Sequence, residues 1–372
     1  MGSIAFLHHD IFRSHRNPEI HPESPERLAA IEKAIDESDL ASRIVRLSPR
    51  SATSDELCGI HSADYIEMLE SAAEMVKHKD DFLQLDADTF MSSSSFDAAK
   101  LAAGAGITAI ESMKSSDFTT SFVAARPPGH HARIGRQMGF CIINNIALAA
   151  RYATQQLGYK RVAIIDWDVH HGNGTQEIFY KDPSVCFISF HQYPFWPPNS
   201  GWITEDGAKE GKGYNVNIPL PAGTGDRGHL FAWDQIVMPV CLEYQPDLIL
   251  LSAGYDAHQL DPLGQQQITT SGFALLSQKL LDLSNLTGAK VVSFLEGGYN
   301  KRALADSVVA TLRVLSAETP GRLDEVHASY SATATSPRLK PLSTDQSPAA
   351  VDEQIEKVQK HFAQYWRSLR RS

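Results

Sequence analysis

The sequence has few cysteines, no long apolar run and more acidic than basic residues, and each of these features excludes a class of protein. Only four of its 372 residues are cysteine, and none forms a Cys-x-x-Cys pair, so neither a disulfide scaffold nor a zinc knuckle is expected. No apolar run reaches the roughly 18 residues of a membrane-spanning helix, and the N-terminus lacks the basic flank of a signal peptide. We therefore expect a cytoplasmic protein with reduced thiols and no membrane segment.

The charge balance argues against nucleic acid as a direct partner. The formal net charge is -10, whereas nucleic-acid binding usually requires a basic face. An acidic protein suits a cationic partner such as a lysine-rich tail or a polyamine, although mild acidity also serves solubility alone. The sequence also lacks the Gly-x-Ser-x-Gly and Walker patterns of other hydrolases and nucleotide-binding proteins. It has no Gly-x-Gly-x-x-Gly directly after a predicted strand, and the glycine loop GTGDRG at Gly223 lacks the lysine and the strand context of a phosphate site.

Short apolar runs alternate with helical patterns along most of the chain. None of the runs alternates cleanly between apolar and polar residues, so both faces of each predicted strand should be covered, as in a parallel sheet. The pattern predicts a three-layer α/β domain with a mostly parallel central sheet flanked by helices. The predicted strands are SIAFL at Ser3, TTSFVAA at Thr119, RVAIID at Arg161, SVCFISF at Ser184, DLILLSA at Asp247 and KVVSFLE at Lys290. A helical stripe over 230–241 should kink at Pro239.

The composition changes near the C-terminus. Residues 329–350 are rich in Ser, Thr and Pro and are predicted to be a linker after a catalytic domain over residues 1–328. Residues 351–372 carry an apolar stripe at helical spacing, which predicts an amphipathic helix packed on that domain. A role of this helix in homo-oligomer contacts stays open.

Polar clusters follow five of the predicted strands, where parallel sheets bind ligands. Asp168 and His170 follow the third strand, and Asp256 follows the fifth. Because Asp168 and His170 are two residues apart, an extended backbone would point both side chains the same way. Oxygen and imidazole ligands suit zinc or another divalent first-row ion, and three protein ligands leave one position open for water. The spacing therefore predicts a catalytic metal site.

Further side chains at this edge suit proton transfer and oxyanion binding. His130 and His131 stand in tandem in RPPGHH, and histidine exchanges protons near neutral pH. Tyr299 follows two glycines in LEGGYN, and its phenol could donate a hydrogen bond to a developing oxyanion. Asp166 and Asn173 could orient the histidine rings through hydrogen bonds. Each residue alone also suits a structural role, so the prediction depends on the set.

Five motifs together resemble the zinc-dependent histone deacetylase superfamily, which includes bacterial deacetylase-like amidohydrolases and acetylpolyamine amidohydrolases. The motifs are RPPGHH, GFCIINNIA, DWDVHHGNGTQ, SAGYDAHQLDPLG and LEGGYN, and they occur in the expected order. The resemblance extends from about His21 to Asn300 and is strongest to the class II branch. It implies the arginase-deacetylase fold and hydrolysis of Nε-acyl-lysine on proteins or peptides by metal-activated water.

The resemblance also implies a role for individual residues. One zinc ion would bind Asp168, His170 and Asp256. His131 would be the general base and then the acid, His130 paired with Asp166 would assist electrostatically, and Tyr299 would bind the substrate carbonyl. The implied substrate-binding residues are Phe140 and Trp196 beside the acyl-lysine tunnel, Gly139 at its wall, Asp88 at its rim and Arg27 in an internal cavity beneath the metal. One potassium ion would use Asp166, Asp168, His170, Ser189 and Phe190, and a second Phe179, Asp182, Val185 and Tyr214.

Four positions refine the resemblance. Asn173 stands where class I enzymes carry aspartate, and active class II relatives also carry asparagine there. Tyr299 stands where the weakly active class IIa enzymes of vertebrates have histidine, which favours a competent deacylase. Leu263 stands where a polyamine-selective relative carries a gatekeeper glutamate, which favours acyl-lysine over acetylpolyamines. Trp196 replaces the usual phenylalanine, so the range of accepted acyl groups stays open.

Three alternative functions remain at this stage. A small-molecule amidohydrolase, such as an acetylpolyamine deacetylase, would use the same residues on a small acylated amine. A catalytically silent acyl-lysine binding protein would bind zinc without turnover. A two-metal ureohydrolase of the same fold would need further aspartates to bridge a second ion, whereas Asn173 and the tandem histidines fit one metal.

Overall fold

A computed structural model of the protein describes residues 3–78, 81–317 and 348–370. Eight strands form its central sheet, and all neighbouring pairs in it run parallel. These strands are β1 Ile4–Leu7, β2 Ile44–Leu47, β5 Thr120–Val123, β6 Val162–Asp166, β7 Val185–Gln192, β8 Asn215–Leu220, β9 Leu248–Ala253 and β10 Lys290–Leu295. Their order is β2-β1-β5-β10-β9-β6-β7-β8. A separate antiparallel pair consists of β3 Leu83–Gln84 and β4 Phe90–Met91.

Helices flank the sheet and complete the three layers, which confirms the predicted fold class. The longer helices are α2 Glu26–Asp36, α4 Ala63–Val76, α5 Ser95–Ser115, α6 Asn145–Gln155, α10 Thr270–Thr287, α11 Lys301–Leu315 and α12 Pro348–Phe362. The short ones are α1 Ile11–Ser14, α3 Ser54–Leu57, α7 Asn173–Phe179, α8 Asp226–Ala232 and α9 Met238–Tyr244. This arrangement agrees with the arginase-deacetylase fold that the resemblance implies.

The six predicted strands correspond to β1, β5, β6, β7, β9 and β10, and the pattern missed the two edge strands. The interior strands are almost wholly buried because helices cover both faces of the sheet. In β2, Val45 and Arg46 are exposed, so the strand has no continuous apolar run. Strand β8 contains Pro219, which a strand tolerates at an edge because one side makes no ladder hydrogen bonds.

The stripe over 230–241 is interrupted. Residues Trp233–Val237 form a π-helical turn between α8 and α9, and Pro239 lies in the first turn of α9. A proline cannot donate the hydrogen bond that a continuous α-helix requires. The wider turn before it accommodates this loss, so the predicted kink takes the form of a π-helical segment.

The C-terminal helix packs on the edge of the sheet next to β8. Helix α12 begins at Pro348, inside the stretch predicted as linker, and it ends at Phe362. Val351, Ile355, Val358 and Phe362 are fully or almost fully buried. Residues 329–347 of the predicted linker and the last two residues of the predicted helix lie outside the described residues.

Two further observations bear on the sequence-based expectations. No helix among the described residues is both long enough and apolar enough to cross a membrane. All four cysteines are free thiols: Cys141, Cys186 and Cys241 are buried, whereas Cys58 is exposed.

Candidate active site

The carboxyl ends of five neighbouring strands place the predicted chemical groups at one edge of the sheet. Strands β5, β6, β7, β9 and β10 are contiguous in the sheet and parallel, so the loops that follow them converge. Those loops carry the tandem histidines, the Asp-x-His pair, Trp196, Asp256 and Tyr299. The strand order of the sheet therefore brings together motifs that are far apart in the sequence.

Asp168, His170 and Asp256 form a compact group whose potential ligand atoms all lie within 4.8 Å of one another. The His170 Nδ1 atom is 3.1 Å from Asp168 Oδ1 and 3.1 Å from Asp256 Oδ2. Two buried carboxylates beside one imidazole nitrogen repel each other unless a cation lies between them. This donor set fits a divalent ion such as zinc.

The pair in Asp-x-His converges through a bend rather than through an extended strand. Strand β6 ends at Asp166, and residues 168–170 are bent. The Asp168 Oδ1 atom accepts a hydrogen bond from the backbone N–H of His170 at 2.9 Å. This local carboxylate–amide bond, typical of aspartate in turns, draws the two side chains together. The expected extended backbone was wrong, although the side chains meet as expected.

Glycines make room for the two carboxylates. A Cβ atom on Gly297 would lie 2.0 Å from Asp256 Oδ2 and 2.6 Å from Asp168 Oδ2. A Cβ atom on Gly254 would lie 2.0 Å from Asp168 Oδ2. Only glycine leaves the space that these carboxylates occupy. We call the backbone of Gly254 and Gly297 the cradle of the candidate metal ligands.

We predict that Gly297→Ala weakens zinc binding by roughly 10- to 100-fold, the usual effect of disturbing groups that support metal ligands. The added methyl group must displace the carboxylate of Asp256. Competition titration against a chromogenic chelator measures the affinity. Gly135→Ala is the control, because its Cβ would meet nothing nearer than Ser62 Oγ at 3.8 Å. Equal affinities in the two variants would contradict the cradle.

The two tandem histidines have different hydrogen-bond partners. His130 donates from Nδ1 to Asp166 Oδ2 at 3.0 Å, and both residues are buried. His131 donates from Nδ1 to the amide oxygen of Asn173 at 2.8 Å. In both rings the bond fixes the proton on Nδ1. The partner of His130 is an anion, whereas the partner of His131 is neutral.

The pKa values of the two rings are shifted in opposite directions. Burial disfavours a charged His130, but the carboxylates of Asp166 and Asp168 outweigh it and raise its pKa to about 10. Burial, followed by the positive charge of His130, holds the pKa of His131 well below its usual range. A cationic ring and a neutral ring therefore lie side by side, with ring centroids 3.9 Å apart. Groups whose pKa values are pushed apart in this way suit distinct acid–base roles.

Tyr299 is held through its backbone and leaves its hydroxyl available. The Asp261 carboxylate accepts hydrogen bonds from the backbone N–H groups of Tyr299 at 2.6 Å, Asn300 at 3.1 Å and Leu263 at 3.0 Å. Arg27 lies below with its guanidinium carbon 5.1 Å from the centre of the Tyr299 ring. Among the described residues, the Tyr299 hydroxyl has no hydrogen-bond partner, so it is free to donate to a substrate oxygen.

We predict that Asp261→Asn lowers kcat more than it changes KM and costs about 1–3 kcal/mol of unfolding free energy. The amide offers one acceptor oxygen for three N–H donors, so the loop that carries Tyr299 loses its anchor. Steady-state kinetics and urea unfolding measure the two effects.

Asp226→Asn is the matched control for that experiment. The Asp226 carboxylate also accepts a backbone N–H, that of Thr269 at 2.8 Å, but it lies on α8 outside the site. It should lose stability and keep its kcat. The same loss of kcat in both variants would show that Asp261 has only a structural role.

Aromatic rings surround the metal ligands and the tandem histidines. Trp196 meets His131 edge-on, with centroids 4.7 Å apart, and Phe140 meets Tyr299 edge-on at 5.8 Å. Phe195, which the sequence analysis did not single out, stacks on the His170 ring at 5.4 Å. Gly139 has φ +56°, and a Cβ there would lie 2.5 Å from the Trp196 ring. These rings cluster around the candidate metal ligands, and we call the space between Phe140 and Trp196 the slot.

The structure places the other predicted substrate-binding residues around this slot. Asp88 is half-buried in the β3–β4 connection, and its side chain accepts a hydrogen bond from Thr89, which in turn accepts from the backbone N–H of Phe140. Leu263 is half-buried on the loop of Asp261. Arg27 is fully buried and donates to the backbone oxygens of Gly298 and Glu296. It therefore supports the Tyr299 loop from below.

The residues of the two predicted potassium sites lie in different places. Ser189 pairs with Asp166 across β6 and β7, so this set lies next to the metal ligands. The second set lies near the amino ends of β7 and β8, away from the metal ligands. It consists of Phe179, Asp182, Val185 and Tyr214.

Sequence reasoning missed the buried acids that position the catalytic loops. Glu296 accepts hydrogen bonds from the backbone N–H groups of Gly129 at 2.7 Å and His130 at 3.2 Å. Glu23 forms ion pairs with both Arg126 and Arg27, and all three side chains are fully buried. In the sequence, Glu296 could have been noticed because it directly follows a buried strand, whereas Glu23 has no such signal.

Comparison with known proteins agrees with this geometry. Residues 21–315 match the protein family described as the histone deacetylase domain. The chain is 41% identical over 317 residues to histone deacetylase 10, chloroplastic, of Oryza sativa subsp. japonica, with 81% of this chain and 71% of that protein covered. It is 36% identical over 329 residues to polyamine deacetylase HDAC10 of Homo sapiens, with 85% of this chain and 48% of that protein covered.

A solved structure is similar to this chain well beyond the site. The crystal structure of the HDA15 HD domain superposes with a TM-score of 0.84 at 33% sequence identity, and the match covers 99% of this chain and 96% of that one. The likeness extends well beyond the motifs at the strand ends.

Proposed function

Because the chain belongs to the histone deacetylase family of amide-bond hydrolases, we propose that it hydrolyses Nε-acyl-lysine on proteins or peptides with one zinc ion. The observation that carries the proposal is the meeting of three groups at one sheet edge. These groups are the metal-ligand set, the unequal tandem histidines and the free hydroxyl of Tyr299. Together they meet the needs of amide hydrolysis.

Each group answers one difficulty of the reaction. Zinc on Asp168, His170 and Asp256 would polarise the carbonyl and lower the pKa of bound water. Neutral His131, with its proton fixed on Nδ1, presents a free Nε2 that can accept a proton from water and return it to the departing amine. Tyr299 donates a hydrogen bond to the carbonyl oxygen as negative charge develops on it.

Other parts of the proposal concern substrate and ions. The slot between Phe140 and Trp196 would hold the acyl-lysine stem, with Gly139 at its wall and Asp88 at its rim. Leu263 is apolar and half-buried, so it offers no charge to a distal ammonium group. Potassium at the two sets of residues given above and the cytoplasmic location also remain proposals.

A second candidate is the deacetylation of a small acylated amine. It is favoured by the similarity to a relative named as a polyamine deacetylase. Leu263 offers no acceptor to a second ammonium group, so in this candidate the recognition of that group would fall to the carboxylate of Asp88 at the rim.

The deciding experiment compares an acetyl-lysine peptide with acetylputrescine before and after chelation, and again after zinc is returned. We expect peptide turnover that disappears with the metal and returns with zinc. Turnover of acetylputrescine alone would move the function to small acylated amines. A zinc-loaded protein that turns over neither compound but binds the peptide would be an acyl-lysine binding protein.

A further inference from the structure

A second cavity lies beside the catalytic slot, and apart from Asn173 its lining residues have no part in the proposed chemistry. Its volume is about 670 Å³, within the range of ligand-binding cavities. One wall is a face of α7 and the residues after it, another is the turn over 133–138, and a third is the loop over 197–200. There is room for a side chain together with its flanking backbone.

The cavity shares its walls with the slot. Met138 precedes Gly139, and Pro197 follows Trp196, so both lining residues are chain neighbours of the slot walls. Asn173 lines the cavity and also accepts the hydrogen bond from His131. A peptide whose lysine enters the slot therefore has its flanking residues close to this cavity.

The charges that line the cavity do not cancel. The Glu177 carboxylate is paired with Arg133, and Glu205 accepts hydrogen bonds from the Gln176 side chain at 2.6 Å and the Trp202 N–H at 2.8 Å. Both lining acids are thus already engaged by partners within the protein. Only Glu177 is neutralised by a cation, because the donors to Glu205 are uncharged, so the three cations and two acids of the lining leave a net charge of +1.

Arg136 and Lys181 supply the positive charge of the lining that is not held in an ion pair. Both side chains are exposed, and neither forms an ion pair within the described part of the chain. The protein as a whole carries a net charge of -10, so a cationic cavity is a local exception. The positive charge of the cavity can attract an anion locally, although the net negative charge of the protein repels anions elsewhere.

We propose that this cavity receives an acidic side chain of the acylated protein, so that the enzyme prefers substrates with Asp or Glu near the acyl-lysine. The apolar residues Ile134 and Met138 would contact the stem of the side chain, and Arg136 and Lys181 would pair with its carboxylate. The inference rests on the proposed lysine deacylase function and adds a rule for substrate selection to it.

The test moves a single Glu along the flanks of an acetyl-lysine peptide, with Gln at the same position as the neutral control. The ratio of kcat/KM for the Glu and Gln peptides should reach about threefold to tenfold at the best position, as expected for two exposed ion pairs. Added salt should reduce this ratio, because it screens exposed charges. A ratio near one at every position would overturn the inference and leave the deacylase function intact.

Variants assign the preference to the cavity. Arg136→Gln and Lys181→Gln should each lower the ratio, and the double variant should bring it near one. Lys160→Gln is the control, because Lys160 is exposed and lies just before β6, at the opposite end of the strand from the site. A ratio that survives in the double variant would overturn the inference.

Binding measurements keep the test independent of turnover. Labelled Glu and Gln peptides are titrated into the full chain by fluorescence anisotropy, and the Glu peptide should bind more tightly. Equal affinities would overturn the inference even if no peptide were hydrolysed. Inorganic phosphate should abolish the Glu preference without changing turnover of the Gln peptide. A change in Gln-peptide turnover that requires Arg136 and Lys181 would mean that the cavity serves a free anion instead.

Discussion

Tyr299→Phe is expected to lower kcat by about 100- to 1000-fold, the usual effect of losing one oxyanion donor. The hydroxyl has no partner among the described residues, whereas the ring is held by Phe140 and by Arg27 below it. Phenylalanine keeps those ring contacts and removes only the donor. Because the metal ligands lie on other side chains, zinc content should not change. Metal analysis and steady-state kinetics on an acetyl-lysine peptide measure the two quantities.

Tyr244→Phe is the matched control for this prediction. The Tyr244 hydroxyl donates to the Pro183 carbonyl oxygen at 3.2 Å on the far side of the domain. Its loss should cost about 0.5–1.5 kcal/mol of stability and leave kcat unchanged. An unchanged kcat in Tyr299→Phe would refute the role of the hydroxyl, and a loss of zinc would show that the substitution disturbs the ligand loops.

The central sheet could be predicted because its strands are buried on both faces. Six apolar runs without alternation identified all six interior strands, and the polar residues after them identified the edge that carries the site. The strands β2 and β8 escaped because an edge strand needs no continuous apolar run. Strand order could not be read from the pattern, since it depends on which distant strands pair.

The chemical groups of the site could be predicted, but not the residues that hold them in place. Asp168, His170, Asp256 and Tyr299 have side chains that suggest a reaction, and each follows a strand. Asp261 acts instead through three backbone N–H groups on two loops. No spacing rule marks such a residue, because its partners are amides that every residue carries.

The cavity beside the slot was invisible in the sequence for a related reason. Arg136 and Lys181 are 45 positions apart, and an arginine or lysine on a surface loop is ordinary. Their significance appears only when the fold places them in one cavity and when Glu177 is found to be already paired with Arg133. Charge balance within a cavity is a property of the folded chain.

The second large effect is expected from the tandem histidines, and it should be unequal. His131→Gln should lower kcat by about 100- to 10,000-fold, the range for loss of a general acid–base group. His130→Gln should cost less, because a ring paired with Asp166 holds its proton and serves the site through its charge. Glutamine is polar, uncharged and of similar length, and the backbone N–H of His130 keeps its bond to Glu296, so both variants should keep their loops in place. Steady-state kinetics and zinc content compare them.

The comparison is decisive because the two residues are neighbours with nearly equal burial, at 3% and 4% exposure. Position, burial and side-chain type are thus matched, and the hydrogen-bond partner is the principal difference. If the carboxylate of Asp166 fixes the role of His130, then Asp166→Asn should make the two histidines more alike and narrow the difference in kcat between their variants. A larger loss in His130→Gln than in His131→Gln would reverse the assignment, with the proton transferred by the ring beside the carboxylate.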